Sequence, residues 1–225
     1  MSRNIIVTGA GGNLGSAVVD KFKREGFQVI ALLHPGKNEE SEQADDSYEV
    51  DVTDESSVSD FINDFHIQYG ELDAIAMIVG GFAMGSIQET RQEDLEKMFS
   101  LNFFSAFHLV KGFLPLFKKQ NKGTFLFVGA KPALQIAEGI GKLAYTMSKK
   151  LVMTLSEVIS EECNEVNVRS HIFVPSIIDT PQNRKSMPDA DFSKWVTPKE
   201  IAESMYYAVN SPAVRNTTFK LYGNV

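Results

Sequence analysis

The sequence predicts an α/β fold: a doubly wound parallel sheet of about seven strands with helices on both faces. Three observations carry this. Short apolar runs alternate with longer stretches in which apolar residues recur three and four apart. The runs are apolar throughout, without in–out alternation, so both sheet faces should be covered. A glycine-rich turn joins the first run to the first helical stretch.

The elements follow in order. "NIIVTG" reads as the first strand, and Leu14, Val18 and Phe22 then recur at helical spacing. "FQVIALL" and "YEVDV" are the second and third strands. "TDESSV" has helix-start character, and its helix should run to about Tyr69. "LDAIAMIVG" is the fourth strand, followed by one long helix over 92–118. "GTFLFVGA" is the fifth, followed by a helix over 142–163. "VNVRSHIFVP" is the sixth, a helix begins at "TPKEIAESMYYAV" with Pro198 in its first turn, and "TTFKLYG" is the seventh strand. The segments 36–47 and "DTPQNRKSMPDADF" read as loops. A length of 225 residues suits one domain over 1–225.

Bulk properties exclude several function classes. A net charge of −7 argues against nucleic acid or an anionic membrane as partner. The apolar stretch "SLNFFSAFHLVKGFLPLF" is broken by Asn102, His108 and Lys111 and falls short of a membrane span. The lone Cys163 can form no internal disulfide, and the first strand is too short for a signal-peptide core; a cytoplasmic protein is expected. His34, His66, His108 and His171 have no metal-ligand spacing, so no metal is expected.

"TGAGGNLG" lies between a strand and a helix, the context that gives a glycine motif meaning. Gly9 permits the tight turn, Gly11 or Gly12 admits a pyrophosphate to the backbone, and Gly15 lets the helix pack closely. The helix N-terminus then offers N–H groups to phosphate, which points to a dinucleotide. At the end of the second strand stand Leu33, His34, Pro35, Gly36 and Lys37, with no carboxylate to accept from the adenosine ribose. His34 or Lys37 either meets a 2′-phosphate or is solvated, so NADH versus NADPH stays open. Asp51, with Val52, either accepts from adenine or caps the next helix with Thr53 and Asp54. Gly80 and Gly81 would let the backbone pass close to a cofactor ribose.

"YTMSK" places Tyr145 and Lys149 four apart on one helical face. A nearby ammonium should lower the phenol pKa and make it a better proton exchanger near neutrality. Together with the glycine turn, the "DV" after the third strand, Asn102 and a "P…TP" segment after the sixth, this resembles a short-chain dehydrogenase/reductase along the whole chain. The resemblance implies that Tyr145 exchanges a proton with substrate and that Lys149 binds the nicotinamide ribose. It implies that Asn102 holds a relay water and Thr180 meets the carboxamide. It extends cofactor contact to Asn13, Leu14, Leu33, Val52, Pro175 and Ile178.

The superfamily carries a serine near the end of the fifth strand, where this chain has Gly129 and Ala130. Losing one donor to a developing alkoxide costs about 2.7–4 kcal/mol. The acceptor should therefore be already activated, such as a quinonoid ring that regains conjugation on reduction. "VGGFAMGS", "GAKPAL", "YTMSK" and above all "DTPQNRKSMPDADFSKW" resemble the dihydropteridine reductase branch, which has an alanine in place of that serine. The branch carries an acid after the second strand that is absent here, and the stretch 130–145 is about two residues longer than in that branch. The segment after Pro175 is expected to form a lid. Phe82, Ala130, Lys131, Tyr145, Met187 and Trp195 are the substrate-site candidates, with Met84 beside Phe82; Trp195 either covers substrate or packs under the last helix.

Phe99, Phe103 and Phe107 form a stripe on the 92–118 helix, and the 142–163 helix is apolar on more than one side. These helices are expected to form a homodimer contact, as the resemblance implies. Two other functions compete: a short-chain reductase of another conjugated carbonyl or quinone-like substrate, and a dinucleotide-sensing scaffold without turnover.

Overall fold

Strands apolar on both sides need cover on both sides, and the chain order supplies it. The computed structural model describes residues 3–36, 41 and 43–223; Lys37 lies outside them. The strands are β1 (Arg3–Thr8), β2 (Phe27–Leu33), β3 (Asp46–Glu49), β4 (Ala74–Met77), β5 (Gly123–Val128), β6 (Val168–Pro175) and β7 (Thr218–Leu221). They form one 7-stranded sheet in the order β3-β2-β1-β4-β5-β6-β7, and every neighbouring pair is parallel. The helices are α1 (Asn13–Arg24), α2 (Glu55–Gln68), α3 (Gln92–Phe99), α4 (Ser105–Gln120), α5 (Lys131–Leu134), α6 (Leu143–Glu162), α7 (Pro181–Ser186) and α8 (Pro198–Asn210).

Successive strand residues point to opposite faces. Ile6, Ile30, Leu32, Ile75, Phe125 and Phe127 join one core with residues of α2, α4 and α6. Ile5, Val7, Val29, Ala31, Ala74, Ala76 and Leu126 join the other with residues of α1 and α8. The winding reverses at β1, which pairs with β2 on one side and β4 on the other. Open α/β sheets bind ligands at the strand carboxyl ends beside such a reversal. There the buried Thr8 hydroxyl accepts from Ile78 N at 2.9 Å and Val79 N at 3.2 Å, tying the ends of β1 and β4 together.

Four expectations need correction. The 92–118 helix is not continuous: a π-helical turn over Ser100–Phe104 separates α3 from α4. Not every strand is apolar throughout; β3 and β7 alternate in exposure, because an edge strand lacks full cover. β3 stops at Glu49, so Asp51 lies beyond the strand rather than at its end. The 180–195 loop contains α7 and a 3₁₀ turn, Phe192–Lys194.

Candidate active site

The glycine turn is shaped by contacts no other residue allows. Gly9 has φ +60, the left-handed region. A Cβ on Gly15 would stand 2.0 Å from Gly9 O, so the first turn of α1 lies directly against the loop. Gly12 is the N-cap of α1 and supplies no side-chain cap, and the first turn carries no acid. α2 and α8 differ: Asp54 accepts from Ser56 N and Ser57 N, and Thr197 from Glu200 N. The N–H groups at the start of α1 thus have no side chain competing for them, and the helix dipole favours an anion there. Gly11, Asn13 and Leu14 complete this turn, with Leu14 buried.

Around the crevice, Leu33 is buried at the end of β2, and His34 is exposed with Nδ1 2.7 Å from Pro35 O. Asp51 Oδ1 accepts from Thr53 N at 2.9 Å and Thr53 Oγ1 at 2.7 Å, a tight local turn beside buried Val52. Pro175 ends β6, and Ile178 forms a parallel bridge with Val196. Thr180 caps α7, its hydroxyl accepting from Asn183 N at 3.2 Å.

The polar centre is built from α6 and the π turn. Asn102, 2 % exposed, accepts from Gly81 N at 2.9 Å through Oδ1. Its Nδ2 donates to Gly81 O at 3.1 Å and to Ser148 Oγ at 2.9 Å. Ser148 Oγ donates in turn to Tyr145 O at 2.8 Å. A Cβ on Gly80 would meet Asn102 Oδ1 at 2.6 Å and Lys149 Nζ at 3.2 Å, which explains glycine at that position. Lys149 Nζ donates to Val128 O at 2.8 Å. The site therefore joins the end of β5, the loop after β4, the π turn and one face of α6.

Burial sets the proton chemistry. Lys149 is lowered from 10.5 to about 8 by desolvation. Tyr145 is raised from 10.0 to about 12, also by desolvation. The expected lowering of the phenol by the lysine is thus reversed: the ammonium is held on the Val128 carbonyl, and burial of the phenol dominates. A phenol at about 12 stays protonated near neutrality, which suits a donor rather than a base.

The substrate-site candidates spread around this centre. The Phe82 ring meets the Tyr145 ring edge-on at 5.0 Å. Ala130 is buried and caps α5 without a hydrogen-bonding side chain. A Cβ on Gly129 would stand 2.8 Å from Ile172 Cγ2, so a serine there would press on β6. Lys131 pairs with Glu138 at 2.9 Å and lies over the Tyr222 ring at 5.5 Å. Met187 is half-buried at the end of α7, and Trp195 is buried against Phe192, with ring centroids 4.8 Å apart.

The 179–195 segment has its own internal order. Asp179 N donates to Val196 O and Val196 N to Ile177 O, closing the base of the loop. Arg184 holds both oxygens of Asp179 at 2.6 and 2.7 Å and stacks over Phe192 at 4.7 Å. Sequence reading missed Thr8, Ser148 and the Val128 carbonyl. Ser148 sits inside "YTMSK", but its role emerges only once the π turn brings Asn102 to it. Among the described residues no group of His, Cys, Asp or Glu is arranged to hold a metal ion. No described helix is long and apolar enough to cross a membrane.

Sheet order and glycine turn define a Rossmann-like doubly wound fold. A model of the short chain dehydrogenase family matches residues 3–191, and the chain belongs to that family. It is 28% identical over 218 residues to a dihydropteridine reductase of Dictyostelium discoideum, covering 94% of this chain and 90% of that one. It is 27% identical to the uncharacterized oxidoreductase YxjF of Bacillus subtilis, over 90% of this chain and 81% of the other. A solved structure of ElxO with NADP bound superposes with TM-score 0.88 at 20% identity, covering 98% and 97% of the two chains. Both resemblances read from the sequence are therefore found: the family, and similarity to a dihydropteridine reductase.

Proposed function

We propose that this chain, as one domain over 1–225, is an NAD(P)H-dependent reductase that converts a quinonoid dihydropteridine to the tetrahydropteridine. The observation that carries the reading is a poised Tyr145, Lys149 and Asn102 set beside a strand end with no hydroxyl, Gly129–Ala130. The similarity to a dihydropteridine reductase supports the same substrate class.

The turn Gly9, Gly11, Gly12, Asn13, Leu14 and Gly15 fits a pyrophosphate, since α1 starts without a side-chain cap or acid. Leu33 and His34 would face the adenosine ribose, and Asp51 and Val52 the adenine. Gly80, Gly81 and Lys149 would hold the nicotinamide ribose, and Pro175, Ile178 and Thr180 the carboxamide. A reduced nicotinamide bound there supplies the hydride. Tyr145 gives the proton from its phenol oxygen to a ring atom of the acceptor, so that hydride and proton together deliver two electrons. Lys149, its ammonium held on the Val128 carbonyl, would act on the cofactor ribose, while the phenol keeps its proton through burial until the acceptor takes it. Asn102 fixes the backbone at Gly81 and, through Ser148, the turn of α6 that carries Tyr145. Phe82, Ala130, Lys131, Met187 and Trp195 would surround the acceptor, and the 179–195 segment would cover it.

Apolar faces on the helix pair suit a homodimer. Phe104 lies outside on the π turn before α4, and Met147, Leu151 and Val158 lie outside on α6. Phe103 and Phe107 stack beside them at 5.7 Å.

The test is oxidation of NADH and NADPH, side by side, with freshly generated quinonoid dihydropterin. Rapid turnover with either is expected and names the cofactor. Cofactor binding without pterin turnover would move the substrate to another conjugated or quinone-like acceptor. Binding with no turnover of any acceptor would make the chain a dinucleotide sensor.

A further inference from the structure

The helical stretch that carries Asn102 also reaches the other end of the crevice. His108 lies on α4, and its Nδ1 is 3.2 Å from Val52 O. A carbonyl oxygen only accepts, so Nδ1 carries the proton and donates. The imidazole is itself held: it stacks on Phe104 with ring centroids 6.0 Å apart and 19° between planes, and it meets Phe107 at 6.2 Å. One turn further along α4, Lys111 pairs with Glu55 at the start of α2. α4 therefore braces the segment after β3 at Val52 and Glu55, as the π turn braces the loop after β4 through Asn102 and Gly81.

Bonding within the braced turn leaves a particular pattern. Val50 N donates to Leu33 O at 2.9 Å, Asp51 N to Ser57 Oγ at 3.0 Å and Asp54 N to Asp51 O at 3.0 Å. Asp51 Oδ1 takes both the N–H and the hydroxyl of Thr53. None of these bonds uses Val52 N–H or Asp51 Oδ2. One donor and one acceptor thus remain on adjacent residues. That is the complement of adenine, whose pairing edge offers N1 as acceptor and the 6-amino group as donor. The His108 bond goes to Val52 O, so it fixes the turn without occupying either group.

We propose that His108 is a positioning residue for the adenine end of the cofactor: its imidazole holds Val52 so that Val52 N–H and the Asp51 carboxylate meet the adenine edge together. The inference rests on the reading of Asp51 and Val52 as the adenine wall and is independent of which acceptor is reduced. It implies selectivity for the base. Hypoxanthine presents the reverse pattern, with O6 against a carboxylate oxygen and N1–H against the Val52 N–H.

The experiment is equilibrium fluorescence titration of NADH, NADPH and their hypoxanthine counterparts on the wild type, His108→Phe and His108→Asn. Phenylalanine keeps a ring on Phe104 and loses the donor; asparagine loses the ring and puts an amide N–H near the Nδ1 position. The wild type should bind the adenine form about 10-fold or more tightly than the hypoxanthine form. His108→Phe should shrink that ratio by about three- to ten-fold, and His108→Asn should restore it to within about two-fold. Melting temperatures check folding, and His108→Leu is the donor-free variant should His108→Phe not fold. A ratio unchanged in the donor-free variant, even with both forms bound more weakly, overturns the inference and leaves the adenine wall standing. A ratio kept by His108→Phe and lost in His108→Asn assigns the effect to the ring stack and also overturns it. Equal binding of the two forms by the wild type overturns the adenine wall, and the inference with it.

Discussion

Asn102 and Gly81 pair in both directions: Asn102 Oδ1 accepts from Gly81 N at 2.9 Å while Nδ2 donates to Gly81 O at 3.1 Å. The side chain does for the loop after β4 what a neighbouring strand would do. Asn102 sits within the π-helical turn Ser100–Phe104. Such turns cluster at functional sites. Asn102→Leu leaves the buried Ser148 hydroxyl without its donor, at about 1–3 kcal/mol, and the half-buried Gly81 N–H and C=O without a partner at a smaller cost. The expected outcome is a loss of about 2–4 kcal/mol by chemical denaturation and a fall in kcat. Wild-type stability in this variant would mean the pairing is incidental.

Tyr145→Phe removes the proton donor while keeping the ring that meets Phe82. Turnover should drop about 10²–10⁴-fold with cofactor affinity retained. Turnover at the wild-type rate would reassign the donor.

Lys149 is lowered from 10.5 to about 8 by burial. The unfolded chain then binds more protons than the folded one between pH 8 and 10.5. Stability of the cofactor-free protein should rise with pH across that window, by up to about 3 kcal/mol from this group. Below pH 8 the lysine is charged in both states, and its contribution is flat. Lys149→Met should lack the rise, which paired denaturation curves at pH 7.5 and 9.5 would test.

Ala130 caps α5 and brings no hydroxyl to the end of β5. Simple unactivated ketones should be poor substrates for the wild type, because no side chain donates to the alkoxide from this position. Ala130→Ser should raise their kcat/KM by about 10-fold or more, given the 10²–10³ that one oxyanion donor supplies elsewhere. Brisk ketone reduction by the unmodified protein would sink this account of the missing hydroxyl.

His171 is fully buried between β6 and β7, its Nδ1 accepting from Thr217 N at 3.2 Å. Burial, and then the charge of Arg169, lowers it from 6.5 to about 4. Its stabilising effect is complete above pH 6.5 and is lost as pH falls toward 4. His171→Asn, which keeps an acceptor, should remove up to about 3 kcal/mol of the stability lost over that interval. Parallel acid-unfolding curves for the two proteins would decide it.

The strand–helix order, the glycine turn and the Tyr145–Lys149 spacing were readable because each depends on nearby residues. Periodicity marks what is buried, and Gly15 is needed by an atom only six positions away in the chain, Gly9 O. "DTPQNRKSMPDADFSKW" was recognisable as a peculiar string, and its peculiarity has a local cause: Asp179, Arg184, Phe192 and Trp195 bond and stack with one another.

Tertiary structure alone decided the rest. The π turn that breaks the 92–118 helix holds Asn102, whose bond to Gly81 spans 21 positions, a pairing that no periodicity reports. The sense of the phenol's shift depended on burial, a property of the assembled crevice, and it outweighed the lysine that sequence spacing made prominent. The Gly85–Lys142 bridge joins two loops far apart in the chain, a pairing that no local pattern marks. Sequence determines which residues can serve a strand, a helix or a site, because those preferences are local. Which of them meet, and how dry their meeting place is, is set by packing between segments far apart in the chain.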